Sequence, residues 1–338
     1  MMTAARIAAC MSGRRTRGMT LVELMVGMAL GLLMAAALMR LFADASANGQ
    51  NIQRASTQIE DGRYAGELLR DDMQLAGYYA QVPMSASTTT SPNPCTVAAT
   101  DFVASPLAFP PAVRGYRAAD ALACLSNRRN DTDALVVRRL EVVTTTAGAL
   151  AGGNAQFYLQ YSFCSTDPST TPLVFGQASS DFVLRTRDCA SVSPLRAFVS
   201  RTYFVASCND CSGSGDGIPT LKRMDLVGNT RVETALVEGV ETLRFEYGFD
   251  TDGDGAPDTF LTTAAATGAA SLWENVTAVR LHYIVRSLDK VNTTGMAGAQ
   301  TFSLGGAGTV TAADDGYVRR SYSTTVRLVN VSGPREQQ

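Results

Sequence analysis

Histidine is all but missing from this chain: His282 is the only one in 338 residues. That excludes a multi-histidine metal centre and leaves a single ring for any Ser-His-Asp or Cys-His relay. Lysine is almost as scarce, with Lys222 and Lys290 alone. Charged residues of all kinds make up only 18% of the chain, at a formal net charge of −2. No basic stripe with interleaved aromatics exists to follow a phosphate backbone, so nucleic acid is not an expected partner. Glycine-rich phosphate loops, nucleophile elbows and paired carboxylates in an evident cleft are also absent, and nothing argues for an enzyme. Apolar material is plentiful at 46% of residues, enough for a large core and too much for a disordered chain.

Acid is missing from residues 1–18, which carry Arg6, Arg14, Arg15 and Arg17; the remainder holds 25 basic and 31 acidic residues. Behind this basic start, Met19 to Met39 is an apolar run whose only charge is Glu23. Its 21 residues are long enough for a bilayer core of about 30 Å at ~1.5 Å rise per residue. The basic flank places the N-terminus in the cytoplasm. An ordinary secretory signal cut near Ala35-Ala36-Ala37, or a plain anchor, would share these features. Neither uses Glu23, although a carboxylate inside an apolar span costs roughly 2.5–3.5 kcal/mol on insertion scales. Such a residue needs a partner.

The segment Arg17-Gly18-Met19-Thr20-Leu21-Val22-Glu23-Leu24 resembles the type III signal of type IV pilins and type II secretion pseudopilins. The resemblance implies that a prepilin peptidase cuts after Gly18, that Met19 becomes the methylated N-terminus, and that Glu23 serves assembly. Many pilins have Phe where this chain has Met19. In a bundle of such helices Glu23 of one subunit can pair with the terminal amine of a neighbour, because an unpaired charge there is expensive. Gly27 and Gly31 form a small-residue step that permits close helix approach.

Residues 46–77 continue the helix in amphipathic form, with Ile52, Ala55, Ile59, Ala65, Leu68, Leu69 and Ala76 near 3.6 spacing. Gly77 suits the C-cap and Pro83 excludes much continuation. A helix over 19–76 would be roughly 87 Å long. The stretch from Ile59 to Tyr79 and the later LVEGVETLRFEYGFDTDGDGAPD (236–258) are similar to segments of the PilW family of minor pilins, relatives of the J-type pseudopilins. That resemblance implies a minor pilin in type IV pilus assembly, in a priming or tip complex. Its partners would be other minor and major pilins and a PilY-type tip adhesin. It would sit in the inner membrane as a single-pass protein with a periplasmic head, and later in the pilus on the cell surface. A type II secretion pseudopilin is one alternative. A membrane-anchored, calcium-dependent surface-binding protein with no filament role is another, and Glu23 speaks against it.

After residue 80, connectors rich in Ser, Thr, Gly, Pro and Ala separate short β-rich runs at 134–143, 156–163, 195–206, 220–227, 236–247, 276–286 and 317–331. In 276–286, Val279, Leu281, Tyr283 and Val285 alternate against Arg280, His282 and Arg286, the mark of an antiparallel sheet with one wet face. His282 therefore reads as a solvated or hydrogen-bonded structural residue on that polar face. The fold class is α+β: a leader (1–18), a long helix (19–80, with 19–42 in the membrane or filament core) and an antiparallel β-rich head (81–338).

With Cys10 in the leader, Cys95, Cys124, Cys164, Cys189, Cys208 and Cys211 remain, an even set suited to a disulfide framework outside the cytoplasm. Six cysteines allow fifteen connectivities; sequential pairing is expected, since each pair brackets a loop-rich stretch. Cys208-Asn209-Asp210-Cys211 also has the spacing of a redox pair, which would want a βα context and a nearby positive charge. Zinc would want a second pair or histidines nearby, and free thiols stay open. Asp250, Asp252, Asp254, Ala256 and Asp258 match the first nine positions of EF-type calcium loops, although Leu261 stands where the bidentate glutamate belongs. Four carboxylates in nine residues repel unless neutralised, so a structural Ca²⁺ is expected, with an acidic, glycine-rich turn as the plain reading.

Overall fold

A computed structural model describes residues 18–80, 82, 92–102, 110–150, 156–167, 172–268, 270–290 and 299–337. Arg6, Cys10, Arg14, Arg15 and Arg17, in the segment expected to be a leader, lie outside the described residues. The chain divides into two units, residues 1–53 and residues 54–338, and helix α1 (Leu21–Leu75) contributes to both. In the first unit every described residue, 18 to 53, is exposed, and the apolar side chains point in all directions.

In the second unit the rear of α1 buries Gln58, Gly62, Ala65, Gly66, Leu69, Asp72 and Met73, a set that recurs every three to four residues along one face. This corrects the apolar stripe expected from spacing: Ile52 and Ala55 are exposed, and the docked face is part polar and part glycine. Gly62 and Gly66 leave room for the stacked rings of Tyr283 and Tyr322, whose centroids are 5.2 Å apart. A Cβ on Gly66 would stand 2.5 Å from the Tyr283 hydroxyl. Burial of Leu69 and Met73 together contributes about 3–6 kcal/mol. The helix stops at a turn in which Gly77 takes φ +74°, and the chain then pairs onto a strand through Gly77 N–Arg138 O (2.9 Å) and Leu140 N–Tyr78 O (2.7 Å).

Strands β1 (Val113–Tyr116), β2 (Ala134–Thr145), β3 (Tyr158–Tyr161), β4 (Leu173–Gly176), β5 (Leu195–Ala206), β6 (Thr220–Val227) and β7 (Thr230–Glu238) form one antiparallel sheet. The long β5 organises it: one edge pairs with β2, while β3 and β6 share the other. A second antiparallel sheet holds β8 (Val240–Phe249), β9 (Thr259–Thr262) and β10 (Val276–Arg286). It is completed, after the small β11–β12 hairpin (Gln300–Ser303, Thr309–Ala312), by β13 (Arg319–Arg327). The main core lies among α1, the first sheet (Leu135, Val137, Tyr203) and the second (Leu243, Phe245, Leu281). The other face of the first sheet is covered as well, by clusters around Phe102, Phe157 and Phe198 and around Val136 and Phe204. Burial on both faces explains why ALVVRRL in β2 shows no alternation.

Three expected strands change. The run 236–247 is broken at Gly239, where φ is +80° and a Cβ would meet the Arg286 carbonyl at 2.7 Å; β7 and β8 therefore belong to different sheets. The 317–331 run ends as strand at Arg327 and turns into the short helix α3 (Val329–Ser332), which follows α2 (Thr263–Gly268) in the chain. The face of β10 expected to be wet is largely covered: Gly305–Ala307 lies over His282 and Glu246, and only Arg280 and Arg286 stay half-buried.

Candidate functional site

At the start of α1, Gly18 and Met19 are exposed and precede the first helical turn. Thr20 N and Thr20 Oγ1 each donate to Glu23 Oε2 at 3.1 Å, and Glu23 N donates to Thr20 Oγ1 at 3.2 Å. This is a reciprocal capping box, and the Thr-x-x-Glu spacing that announces it is present in the sequence. Glu23 is therefore held by a hydroxyl and an amide, and among the described residues no cation pairs with it. Gly27 and Gly31 open onto free space. This helix is long and apolar enough to cross a membrane, and the apolar window of it has no burial inside the chain.

In the head the rear of α1 is tied to the first sheet by Asp72. Its Oδ1 accepts from Arg139 Nε (3.1 Å) and Arg201 Nη1 (2.7 Å), and its Oδ2 from the Tyr203 hydroxyl (2.9 Å). On the second sheet Gln58 Nε2 donates to the carbonyls of Val285 (2.7 Å) and Val318 (2.9 Å), and Tyr283 OH to Gly62 O (2.7 Å). Sequence reading missed these residues, because a buried Asp, Gln and two glycines leave no apolar period. His282, though buried, is hydrogen-bonded: its Nε2 lies 2.8 Å from Glu246 Oε2 on the adjacent β8, and Arg280 reaches the same oxygen at 3.4 Å. The carboxylate partner comes from the next strand.

The sulfurs pair in sequence order as Cys95–Cys124, Cys164–Cys189 and Cys208–Cys211, across separations of 29, 25 and 3. By the chain-entropy argument the first two stabilise the head by about 3–4 kcal/mol each and the third by less.

In the acidic loop, Asp250, Asp252 and Asp254 each offer a carboxylate oxygen within 4.8 Å of the others. Gly253 (φ +89°) and Gly255 (φ +85°) make the turn, and their amides donate to Asp250 at 2.6 and 3.0 Å. Arg335 Nη1 adds an ion pair to Asp250 Oδ2 at 3.0 Å. Burial pushes the Asp250 carboxyl up, but Arg335 and the two amides outweigh it and hold it below its ordinary value. Asp258 stands apart from the trio: its Oδ2 takes both the hydroxyl and the amide of Thr251 at 2.7 Å, which keeps its pKa low. The Ala256 amide donates to Asp254 at 2.7 Å. The repulsion expected among four carboxylates is thus partly met by the chain itself, through Arg335, which the sequence did not place nearby.

A capped, apolar N-terminal helix joined to an antiparallel β-rich head with three disulfides is the arrangement of the pilin-like class. Residues 13–39 match the family described as Prokaryotic N-terminal methylation motif. Residues 202–330, from β5 through β13, match the family described as Type IV Pilus-assembly protein W. The role these matches support is that of a type IV pilus minor pilin. Among solved structures, the "Type IV-like pilin TTHA1219 from Thermus thermophilus" aligns at 12% identity and a TM-score of 0.34, over 81% of this chain and 96% of that one. No curated protein matches the chain.

Proposed function

We propose that this minor pilin acts by assembly, not catalysis, in the complex that primes a type IV pilus and stays at its tip. The observation that carries the reading is the front of helix α1, residues 21–53: its apolar window is unburied by the described residues, and it is headed by a carboxylate that no cation among the described residues balances. That surface is covered first by the inner membrane and later by the helices of other minor and major pilins. The head faces the periplasm, since the arginine-rich leader stays in the cytoplasm. Prepilin peptidase removes residues 1–18 and leaves a methylated Met19, and Glu23 exchanges its Thr20 cap for the terminal amine of a neighbour. A PilY-type adhesin is the proposed tip partner. Terminal mass analysis of the membrane-extracted chain should begin at methyl-Met19; a start near residue 38 would indicate an ordinary signal peptide and overturn the assignment. Deleting the gene should abolish surface pili and spare secreted enzymes in the culture fluid. The reverse outcome would assign the chain to type II secretion.

We further propose that the loop from Asp250 to Asp258 takes one Ca²⁺ through Asp250, Asp252 and Asp254, with the Ala256 carbonyl and Asp258 as the remaining ligands. Without a glutamate at Leu261 the affinity falls in the ~10⁻⁴–10⁻³ M range of extracellular modules. The common orientation of three carboxylates supports this; Asp258 must leave Thr251 to take part. Calorimetry with calcium on the full chain, repeated for Asp252→Ala and Asp254→Ala, is the test. No calcium-dependent heat at millimolar concentration returns the loop to a plain acidic turn.

A further inference from the structure

In the Cys208–Cys211 pair a lysine stands beside a sulfur. Lys222, on β6, is nearly fully buried and places its Nζ 3.6 Å from the Sγ of Cys211. It is one of only two lysines in the chain. Its other partner is Glu233 Oε1 at 2.8 Å, on the neighbouring β7, and that carboxylate is itself a third exposed. A cation fixed beside a sulfur favours the thiolate over the thiol and makes a disulfide easier to reduce. This is the nearby positive charge that a redox-active C-x-x-C requires, and it comes from a strand eleven residues further on.

The loop does not need its disulfide to keep its shape. Asp216 accepts from the amides of Asn209 (Oδ1, 3.0 Å) and Asp210 (Oδ2, 2.9 Å), and its own amide donates to Asp210 O at 3.0 Å. The covalent link closes a separation of three residues, so it adds little chain entropy to what these bonds already hold. Both redox states can therefore share one backbone frame. Cys208 is buried while Cys211 is half-exposed, on a loop whose next three residues are open to solvent. One sulfur is reachable and cation-paired, and the other lies behind it.

We propose that Cys208–Cys211 is a reversible thiol–disulfide exchange site for an external thiol/disulfide couple, with Cys211 as the nucleophile and Cys208 as the resolving thiol. In the oxidising direction the Cys211 thiolate, held by Lys222, attacks an external disulfide R–S–S–R′. A Cys211–S–S–R bond forms and R′S⁻ leaves. Cys208 then gives its proton to solvent and attacks Cys211 Sγ, expelling RS⁻. The dithiol loses two electrons and two protons, and the external disulfide becomes two thiols. Reduction runs the same steps backwards, with Cys211 leaving as a thiolate beside Lys222. The charged groups around this loop are Lys222, Glu233, Asp216 on the Asn209 and Asp210 amides, Glu238 on the Asn209 side chain, and the exposed Asp210, whose carboxylate is turned to the Ser212 amide at 2.9 Å.

The test is a redox titration of the full chain in detergent against reduced and oxidised glutathione, with alkylation and peptide mass analysis at each step. Cys208–Cys211 should open at potentials where Cys95–Cys124 and Cys164–Cys189 remain closed. After selective reduction, Cys211 should alkylate at pH 6 at least tenfold faster than an ordinary thiol. Lys222→Met should make the pair about tenfold harder to reduce, ~30 mV for a two-electron couple, and should abolish the fast alkylation, while Lys222→Arg retains both. The wild-type alkylation profile needs no variant, so the proposal stays exposed even if Lys222→Met fails to fold. Simultaneous opening of all three pairs, or ordinary alkylation of Cys211 in the reduced wild type, would overturn it.

Discussion

Removing the Asp72 charge by Asp72→Asn should cost the head about 3 kcal/mol. Asp72 is 5% exposed and serves Arg139, Arg201 and Tyr203 at once, so the variant leaves a guanidinium buried to 6% exposure without its main counter-charge. Removing one partner of a buried ion pair costs roughly 3–5 kcal/mol. The lower end applies here because neither arginine is left alone: Arg139 keeps Glu141 at 3.1 Å and Arg201 keeps Asp225 at 3.1 Å. At about 2–4 °C per kcal/mol for domains of a few hundred residues, Tm should fall by roughly 6–12 °C. The assay is thermal unfolding of the full chain in detergent, followed by near-UV circular dichroism. A double-mutant cycle with Arg139→Met should show a coupling of about 0.5–3 kcal/mol, the range for residues in contact. A shift below about 2 °C, or strict additivity with Arg139→Met, would mean that Asp72 does not tie α1 to the sheet, and the polar part of the docking argument would fail.

Gly62→Ala or Gly66→Ala would add about 1 kcal/mol to an exposed helix, but here each should lower Tm, because the new Cβ collides with Tyr322 or Tyr283; an increase in either variant would contradict the close approach. Asp315 pairs with the buried Arg319, whose guanidinium holds its carboxyl down from the ordinary 3.8 to about 2. A depressed carboxyl stabilises the fold above its unfolded pKa, so this contribution, up to ~2 kcal/mol at 1.36 kcal/mol per unit, should disappear as pH falls from about 4 to 2. Asp315→Asn should therefore destabilise at pH 7 and matter little at pH 2 in paired urea titrations, and equal losses at both would refute the assignment. Glu23→Ala should insert into membranes as well as the parent and yet be missing from sheared filaments on an immunoblot; normal incorporation would remove the role of the carboxylate.

Residues near one another in sequence were legible without a structure. The apolar run with its single carboxylate and the strands at 195–206, 220–227 and 276–286 are local patterns, because a helix repeats every 3.6 residues and a strand every two. A long helix with an antiparallel β head follows from them. Short edge strands such as β1 and β4 were not legible, since four residues carry too little period and gain their order from the neighbours they pair with. The run 236–247 reads as one strand, yet Gly239 divides it between two sheets, because only packing shows what its missing Cβ would strike. The sharpest divide lies with charges. Asp72 with Arg139 and Arg201, Glu246 with His282, Asp250 with Arg335, and Cys211 with Lys222 join residues from separate strands, loops or α1. A buried charge is set by what lies across the core from it, and sequence spacing carries no record of that distance.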